Sequence, residues 1–167
     1  FITGASGLLG RVLVKEFVNH EFDILAHYFS QIPGELEIDR CKWIRGDFSG
    51  LAEIRDFISR WGGEISGCNC LVNNYGPITY KSVRDLTAED FLSDFHGNVI
   101  TAFEITRFLL DKNRGEPGLE AVANIGFEFT GEIKLYRNIL PYAAAKNSLL
   151  LLTRSLEREY PGIRFRM

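Results

Sequence analysis

The stretch TGASGLLG, residues 3–10, decides the fold of this 167-residue chain. The apolar residues before it have the character of a strand end, and those after it recur at helical spacing. Its glycines, Gly4, Gly7 and Gly10, permit a tight turn and let backbone N–H groups approach a pyrophosphate at the positive end of a helix. The turn by itself also fits a plain connection between strand and helix, so both interpretations stay open at this point.

Strands alternate with helices along the rest of the chain. Apolar runs predict strands over residues 1–3, 22–28, 43–45, 68–72 and 119–125. Helical periodicity predicts one helix after the glycine turn and others over residues 51–61, 87–112 and 140–160. Such alternation predicts a Rossmann-like, doubly wound parallel sheet, in three α/β/α layers.

Three details of these helices can be checked against the structure. The first helix is expected to turn one stripe toward the core, made of Leu9, Val12, Leu13, Glu16 and Phe17. Gly62 and Gly63 are expected to end the second helix. Residues 87–90 resemble a capping box and are expected to begin the third.

Length and composition predict one soluble domain over residues 1–167. Both ends look cut, because a strand fragment opens the chain and residues 162–167 start another strand, so we expect a piece incomplete at both ends. A net charge of −3 argues against nucleic acid as a partner. No apolar run reaches membrane-spanning length and no signal sequence opens the chain, so we expect a cytoplasmic protein without a membrane partner. The cysteines and histidines lack ligand spacing, so no metal is predicted.

Chemistry in such a sheet is expected in the loops after the strands. Residues 72–76, VNNYG, end the fourth predicted strand; Asn98 lies in the long helix; and Tyr142 and Lys146 open the last helix as Y-x-x-x-K. With the glycine turn, these motifs resemble the short-chain dehydrogenase/reductase family, common single-domain branch, over nearly the whole chain. The resemblance implies an NAD(P)-binding Rossmann domain and an oxidoreductase that moves a hydride between a nicotinamide and a small carbonyl or alcohol.

The Tyr142 and Lys146 side chains are four residues apart and therefore share one helix face. A lysine charge there favours tyrosinate, which predicts a lowered Tyr142 pKa and a general acid or base. By resemblance, Tyr142 exchanges a proton with the substrate oxygen, Lys146 also holds the nicotinamide ribose, and Asn98 supports a water-linked relay from Lys146.

The resemblance also implies a set of residues that contact the cofactor. Asn73 and Gly76 are expected beside the adenosine half, and Asp47 against the adenine amine, although an Asp after a Gly at a strand end is often only a helix cap. The whole expected set is Gly4, Ser6, Gly7, Leu9, Gly10, Tyr28, Ser30, Asp47, Phe48, Asn74, Tyr75 and Gly76, together with Tyr142 and Lys146.

The chain departs from the family pattern at the substrate-binding serine. Phe127 occupies that position, and a phenyl ring cannot donate a hydrogen bond. Thr130 or Glu128 could supply the bond, or the substrate is not an ordinary ketone; pteridine reductases also lack this serine. The alternative is a non-catalytic dinucleotide-binding sensor or scaffold.

The glycine spacing departs as well. Gly4, Gly7 and Gly10 follow T-G-x-x-G-x-x-G, the pattern of the extended branch, which leaves a nucleotide-sugar epimerase or dehydratase as a further alternative. The VNNYG segment specifies more residues and favours the common branch.

Cofactor choice is read at the end of the second strand, where an acid would bind the ribose 2′-hydroxyl of NAD. Residues 27–30, HYFS, contain no acid, which favours NADP(H) over NAD(H), with Ser30 and His27 as candidate phosphate neighbours. The basic residue often found in the glycine turn is replaced by Gly7, which counts against NADP. By resemblance the protein is a homodimer or homotetramer built on the two long helices; the LLLL run at 149–152 fits that, and core burial explains it equally well.

Overall fold

The sheet is parallel throughout, with helices on both faces. A computed structural model of the chain describes residues 1–30, 39–112, 118–127 and 137–167. The strands are β1 (Ile24–Tyr28), β2 (Cys41–Arg45), β3 (Cys70–Asn73), β4 (Ala121–Asn124) and β5 (Arg164–Arg166). The helices are α1 (Leu8–Asn19), α2 (Leu51–Ile65), α3 (Ala88–Phe95), α4 (Thr101–Lys112) and α5 (Leu140–Glu159), and a π-helical turn, His96–Ile100, joins α3 to α4.

Residues 1–3 lie in the middle of the sheet. β1 pairs with β2, and β3 pairs with β4, which pairs with β5. Ile2 forms parallel bridges to both Ala26 and Val72, and so joins the two sets of strands. The predicted first strand is reduced to this one paired residue. β1 and β4 are shorter than predicted, β2 begins two residues earlier, and β3 begins two residues later and ends one residue later. The doubly wound α/β fold is confirmed.

Alternating side chains divide the core between the two faces. Ile24, Ala26 and Val72 pack with Val14 of α1 on one face. Leu25, Ile44 and Leu71 belong to the larger cluster on the other face, together with apolar residues of α2 and α4. Because strands covered on both sides place apolar residues on both sides, they appear in the sequence as continuous apolar runs.

The expected core stripe of α1 is wrong in part. Leu9 and Val12 are exposed, whereas Gly10 and Val14 are the buried residues of this helix. The glycine turn sets the helix rotation: a Cβ on Gly10 would lie 2.4 Å from the Gly4 carbonyl oxygen, so Gly10 must face the turn. Leu13 and Phe17 pack at the edge of the core as expected.

Helix α2 does not end at Gly62 and Gly63 but continues to Ile65. A Cβ on Gly62 would lie 2.9 Å from the ring of Phe108, so this glycine gives α4 room to pack closely. Ile65 is fully buried, which holds the last turn of the helix against the core. Tertiary packing therefore overrides the helix-ending tendency of the glycines.

The predicted long helix begins where the sequence indicates. Thr87 is the N-cap of α3 and forms a reciprocal capping box with Asp90, as predicted. The helix is interrupted by the π-helical turn at His96–Ile100, which the periodicity did not indicate. Within the described ranges, no helix combines the length and apolar character needed to cross a membrane.

Candidate active site

The shape of the glycine turn requires glycine at two positions, Gly4 and Gly10. Gly4 has φ +61°, and a Cβ there would lie 2.9 Å from the Tyr75 Cα. The close approach of Gly10 to the Gly4 carbonyl fixes the other. Helix α1 starts after Gly7, and no side chain accepts a hydrogen bond from the N–H groups of its first turn. Such a helix start fits the negative charge of a pyrophosphate.

Thr3 and Asn74 fasten the glycine turn to the loop after β3. The Thr3 hydroxyl accepts hydrogen bonds from the backbone N–H groups of Asn74 and Tyr75, both at 3.0 Å. The Asn74 amide donates to the carbonyls of Thr3 and Gly4, at 3.1 and 2.9 Å. Asn74 therefore joins the loop after β3 to the glycine turn, and Thr3 does the same, a role that the T-G pair alone did not reveal.

The Asn73 side chain is buried and bonded inside the protein. Its amide nitrogen donates to Asn124 Oδ1 at 2.8 Å and to Thr106 Oγ1 at 3.2 Å, and Asn124 in turn donates to Thr153 at 2.8 Å. Asn73 and Asn124 are register partners in adjacent strands, so both side chains point the same way into the protein. Asn73 links the sheet to α4 and, through Asn124, to α5.

His27 is buried and joins two loops of the sheet edge. Its Nδ1 accepts a hydrogen bond from Gly4 N–H at 3.0 Å, and its Nε2 donates to the Gly46 carbonyl at 3.1 Å. Burial lowers the pKa of His27 from 6.5 to about 4, against weaker opposing effects of the Gly46 bond and Asp47. The expectation of a phosphate neighbour is wrong, because the ring is neutral and both nitrogens are engaged by backbone groups.

The predicted residues after β2 differ in exposure. Phe48 is buried and stacks on the His27 ring, with centroids 3.9 Å apart, so its side chain is part of the core. Asp47 accepts a hydrogen bond from Ser49 N–H at 2.8 Å. The N-cap of α2 is Gly50, so Asp47 fixes the turn before the helix instead of capping it.

The end of β1 carries no acid in the structure either, since Tyr28, Phe29 and Ser30 follow one another there. Arg45 is the register partner of Tyr28, and its Nε donates to the Phe29 carbonyl at 3.1 Å. The exposed guanidinium is thus attached to the strand end at which cofactor choice is expected to be read.

Asn98 lies in the π-helical turn and is buried. Its amide nitrogen donates to the carbonyls of Pro77 and Asp94, both at 2.8 Å, whereas Oδ1 has no hydrogen-bond partner among the described residues. A Cβ on Gly76 would lie 2.2 Å from that oxygen, so Gly76 leaves space for it. π-helical turns of this kind are frequent at functional sites.

Tyr142 and Lys146 lie on one face of α5, as predicted. Lys146 is buried; its ammonium donates to the Ile125 carbonyl at 2.7 Å and lies 5.5 Å from the centre of the Tyr142 ring. Desolvation lowers the pKa of Lys146 from 10.5 to about 8. The pKa of Tyr142 is raised by burial, with Tyr80 and Asp94 acting in the same direction, so the predicted lowering is wrong for this structure.

Phe127, the residue expected in place of a substrate-binding serine, packs against Tyr142. The two rings meet edge to face, with centroids 5.5 Å apart. Thr130 and Glu128, the candidate replacements, lie outside the described residues. The sequence did not indicate Tyr80, which contributes to the raised pKa of Tyr142. The N–H of the next residue, Lys81, donates to the Asn138 carbonyl at 2.9 Å, which ties this segment to the start of α5.

Two cavities lie at opposite edges of the sheet. A cavity of about 510 Å³ lies at the carboxyl edge, against Phe29, Arg45, Asp47 and Arg60. A larger one, about 1230 Å³, lies at the amino edge beside Phe1 and β3, and its described lining includes none of the predicted site residues. In parallel α/β sheets ligands bind at the carboxyl edge, so the larger cavity volume does not indicate the ligand site here.

Known proteins resemble this chain over most of its length. The family model described as short chain dehydrogenase matches residues 1–166. An uncharacterized oxidoreductase of Thermotoga maritima is 26% identical over 164 residues, which cover 95% of this chain and 64% of the relative. The uncharacterized oxidoreductase YvrD of Bacillus subtilis is 27% identical, with 96% and 62% covered. The chain thus spans just under two thirds of these relatives.

A solved structure gives the same picture of the fold. A short chain dehydrogenase from Leptospira borgpetersenii, crystallised with bound NAD+, superposes with a TM-score of 0.84 at 24% identity. The match covers 98% of this chain and 66% of that chain. At this identity the likeness shows the fold alone.

Proposed function

This chain belongs to the short chain dehydrogenase family, and we propose that it is part of an NAD(P)-dependent oxidoreductase. The reaction is hydride transfer between a nicotinamide and a small carbonyl, alcohol or similar unsaturated compound. One observation carries the proposal: Tyr142 and Lys146 lie on one face of α5, with the Lys146 ammonium bonded to the Ile125 carbonyl just after β4. That places the pair at the carboxyl edge of the sheet, where the glycine turn also lies.

The residues of the sheet edge fit a dinucleotide. The first turn of α1 offers N–H groups to the pyrophosphate, and Gly4 and Gly10 keep the backbone free of side chains there. Among the described residues Lys146 uses one donor, in its bond to Ile125, and an ammonium has three, so two could hold the nicotinamide ribose. When bound, the nicotinamide supplies or accepts the hydride.

Tyr142 handles the proton in this proposal. Its raised pKa keeps the phenol protonated at neutral pH, which is the form that donates to a substrate oxygen. In the reductive direction, the carbonyl carbon gains the hydride and the carbonyl oxygen gains the Tyr142 proton. Lys146 lies beside the ring, and by resemblance Lys146 and the buried Asn98 would pass a proton from water that restores the phenol.

We infer NADP(H) as the preferred cofactor. Residues 27–30, at the end of β1, include no acid that would repel a 2′-phosphate, and Arg45 offers a cation there. Arg45→Met is expected to weaken NADPH binding by roughly 10- to 100-fold, the value of a charge-assisted hydrogen bond, with little change for NADH. Calorimetric titration measures both constants, with Arg154→Met on the exposed side of α5 as the control. Tighter binding of NADH by the wild type would reverse the assignment.

The predicted partners are a small-molecule substrate and further copies of the chain, in the cytoplasm. Exposed apolar side chains on α3 and α5, Phe91, Leu92 and Leu151, support a homodimer or homotetramer through these helices. Leu149, in contrast, is buried within the chain, so the LLLL run serves both purposes. Light scattering of Leu151→Lys is expected to show a smaller assembly than the wild type.

The activity is tested with the full chain and a panel of quinones, ketones and pterins. Oxidation of NADPH and NADH is followed by absorbance, for the wild type and for Tyr142→Phe. Loss of a proton donor is expected to lower turnover by roughly 10²- to 10⁴-fold, with cofactor affinity unchanged. Equal turnover by both proteins would exclude Tyr142 as the donor. Cofactor binding without turnover of any compound would favour the non-catalytic dinucleotide-binding alternative. Phe127 supports that alternative, because its ring cannot donate a hydrogen bond to a substrate.

A further inference from the structure

His27 occupies a position in which a polar side chain has no evident place. It is the fourth residue of β1 and is 1% exposed, among the aromatic rings of Phe48, Phe57 and Tyr75. Burying an imidazole there is unfavourable unless its nitrogens are bonded. Both are bonded, and both partners are backbone groups of loops at the carboxyl edge.

The two partners belong to different segments of the proposed cofactor site. Gly4 N–H, which donates to Nδ1, is in the glycine turn, at the residue with φ +61°. The Gly46 carbonyl, which accepts from Nε2, precedes Asp47 and Phe48 in the turn between β2 and α2. Because Nδ1 must accept and Nε2 must donate, the ring is the neutral Nε2–H tautomer.

Neighbouring aromatic side chains also fix the orientation of the His27 ring. Phe48 stacks on it, with centroids 3.9 Å apart and an angle of 13° between the planes, and Phe57 meets it edge-on at 5.5 Å. The backbone around it is tied as well, since Ala5 N–H donates to the His27 carbonyl at 2.8 Å and His27 N–H to the Ile2 carbonyl at 2.9 Å. Because the His27 side chain is held by packing and by hydrogen bonds, it fixes the position of one loop relative to the other.

We propose that His27 is a positioning residue of the dinucleotide site, which holds the glycine turn and the turn at residues 46–48 in one fixed relation through its two nitrogens. The proposal rests on the proposed function, because it assumes that a dinucleotide binds along these turns. His27 itself touches no cofactor in this account. It acts through Gly4, on the pyrophosphate side, and through Gly46, on the adenine side.

Three substitutions separate the two bonds. His27→Asn keeps an acceptor near Nδ1 for Gly4, His27→Gln keeps a donor near Nε2 for Gly46, and His27→Leu removes both. The Kd of NADPH, measured by calorimetry on the full chain, is expected to rise by roughly 10- to 100-fold in His27→Leu, the value of two neutral hydrogen bonds, and by less in the other two. The exposed His20→Gln is the matched control and is expected to bind like the wild type.

A purely structural role is distinguished by two further measurements. Leu109→Ala, at a buried residue of α4, removes core packing but neither hydrogen bond of His27, and its Kd is compared at similar loss of stability. The second is the pH profile of Kd: protonated Nδ1 cannot accept from Gly4, so wild-type affinity is expected to fall below about pH 5, near the lowered His27 pKa. Among the described residues, the titratable groups that face His27 are Asp47 and Tyr75. His27→Asn retains both, so the difference between its pH profile and that of the wild type removes their effects.

The outcomes are distinct. A rise in Kd for His27→Leu that exceeds the rise for Leu109→Ala, with a steeper acid loss in the wild type than in His27→Asn, supports the positioning role. Wild-type affinity in a folded His27→Leu, or an equal rise in Leu109→Ala, overturns it. If His27→Leu does not fold, the difference between the two pH profiles decides. A wild type that binds neither NADPH nor NADH overturns the proposed function and this proposal with it.

Discussion

The two halves of the sheet edge treat their buried polar groups differently. In the first half, formed by the glycine turn, His27 and residues 46–48 and 74, the side chains of Thr3, His27, Asp47 and Asn74 are all tied to backbone groups. In the second half, formed by Gly76, Asn98, Phe127, Tyr142 and Lys146, Asn98 Oδ1 has no partner among the described residues. Lys146 is buried there with a single carbonyl acceptor in the described structure.

This difference in hydrogen bonding distinguishes groups that stabilise the fold from groups that take part in chemistry. Groups whose hydrogen bonds are complete hold a shape, and their loss weakens the fold. Groups buried with incomplete partners are unfavourable for folding and are retained where a proton or ligand must be handled. Substitutions in the first half are therefore expected to lower stability, whereas removal of the buried charge in the second half is expected to raise it.

The largest effect is expected at Gly10. In Gly10→Ala the added Cβ meets the backbone of Gly4 and Ala5, which cannot move without opening the turn, so the free energy of unfolding should fall by about 3–5 kcal/mol. Urea unfolding measures it. The control is Gly63→Ala in the interior of α2, where a Cβ meets nothing within 4 Å and a gain of about 0.5–1 kcal/mol is expected. Equal effects of both substitutions would refute the role of close approach.

Acid should weaken the first half through His27. Its folded-state pKa of about 4 lies below the unfolded value of 6.5, so folding favours the neutral ring. The stabilisation is complete above pH 6.5 and is lost as the pH falls through 4, by about 3 kcal/mol in all. Unfolding free energies of the wild type and His27→Gln at pH 7 and pH 4 isolate this loss from the protonation of carboxylates. A constant difference between the two proteins would contradict the lowered pKa.

Lys146 should show the opposite sign in the second half. Its pKa of about 8 in the folded chain lies below the ordinary 10.5, so the buried charge disfavours folding at pH 7. Lys146→Met should raise the free energy of unfolding by about 1–2 kcal/mol, reduced by the unpaired Ile125 carbonyl, while turnover is lost. The gain should disappear as the pH rises through 8 to 10.5. Lys15→Met, at an exposed site on α1, serves as the control, and a less stable Lys146→Met protein would oppose the comparison.

The smallest effect is expected at Phe127. Phe127→Ser removes the edge-to-face contact with Tyr142 and should cost about 0.5–1.5 kcal/mol beyond the lost apolar burial. Thermal unfolding compared with Phe29→Ser, at a phenylalanine that is 53% exposed, measures the contribution of the contact. The same loss in both would mean that the ring pair contributes nothing.

The sequence predicted the elements whose signals are local. The glycine turn, the capping box at Thr87 and the shared face of Tyr142 and Lys146 depend on residues close together in the chain, and the structure has all three. The order of strands and helices followed from apolar runs for the same reason, and it was sufficient for the fold class.

The errors arose where distant segments meet. α2 continues through Gly62 because Phe108 of another helix fills the space, and Asn73 turns inward because Asn124 stands beside it in the sheet. The tyrosine pKa depends on burial and on Tyr80 and Asp94, which lie far away in the chain. His27 was a candidate phosphate neighbour because it lies at the end of a predicted strand, and nothing in the sequence indicated its bonds to Gly4 and Gly46, which depend on segments far away in the chain.

The most direct test of a single dinucleotide site along both halves is a crystal structure of the full chain with NADPH. The account predicts the pyrophosphate against the first turn of α1, the ribose within reach of Lys146, and the nicotinamide about 3–3.5 Å from a substrate atom placed beside the Tyr142 hydroxyl. A dinucleotide bound at the amino edge of the sheet, or one whose nicotinamide points away from Tyr142, would contradict it.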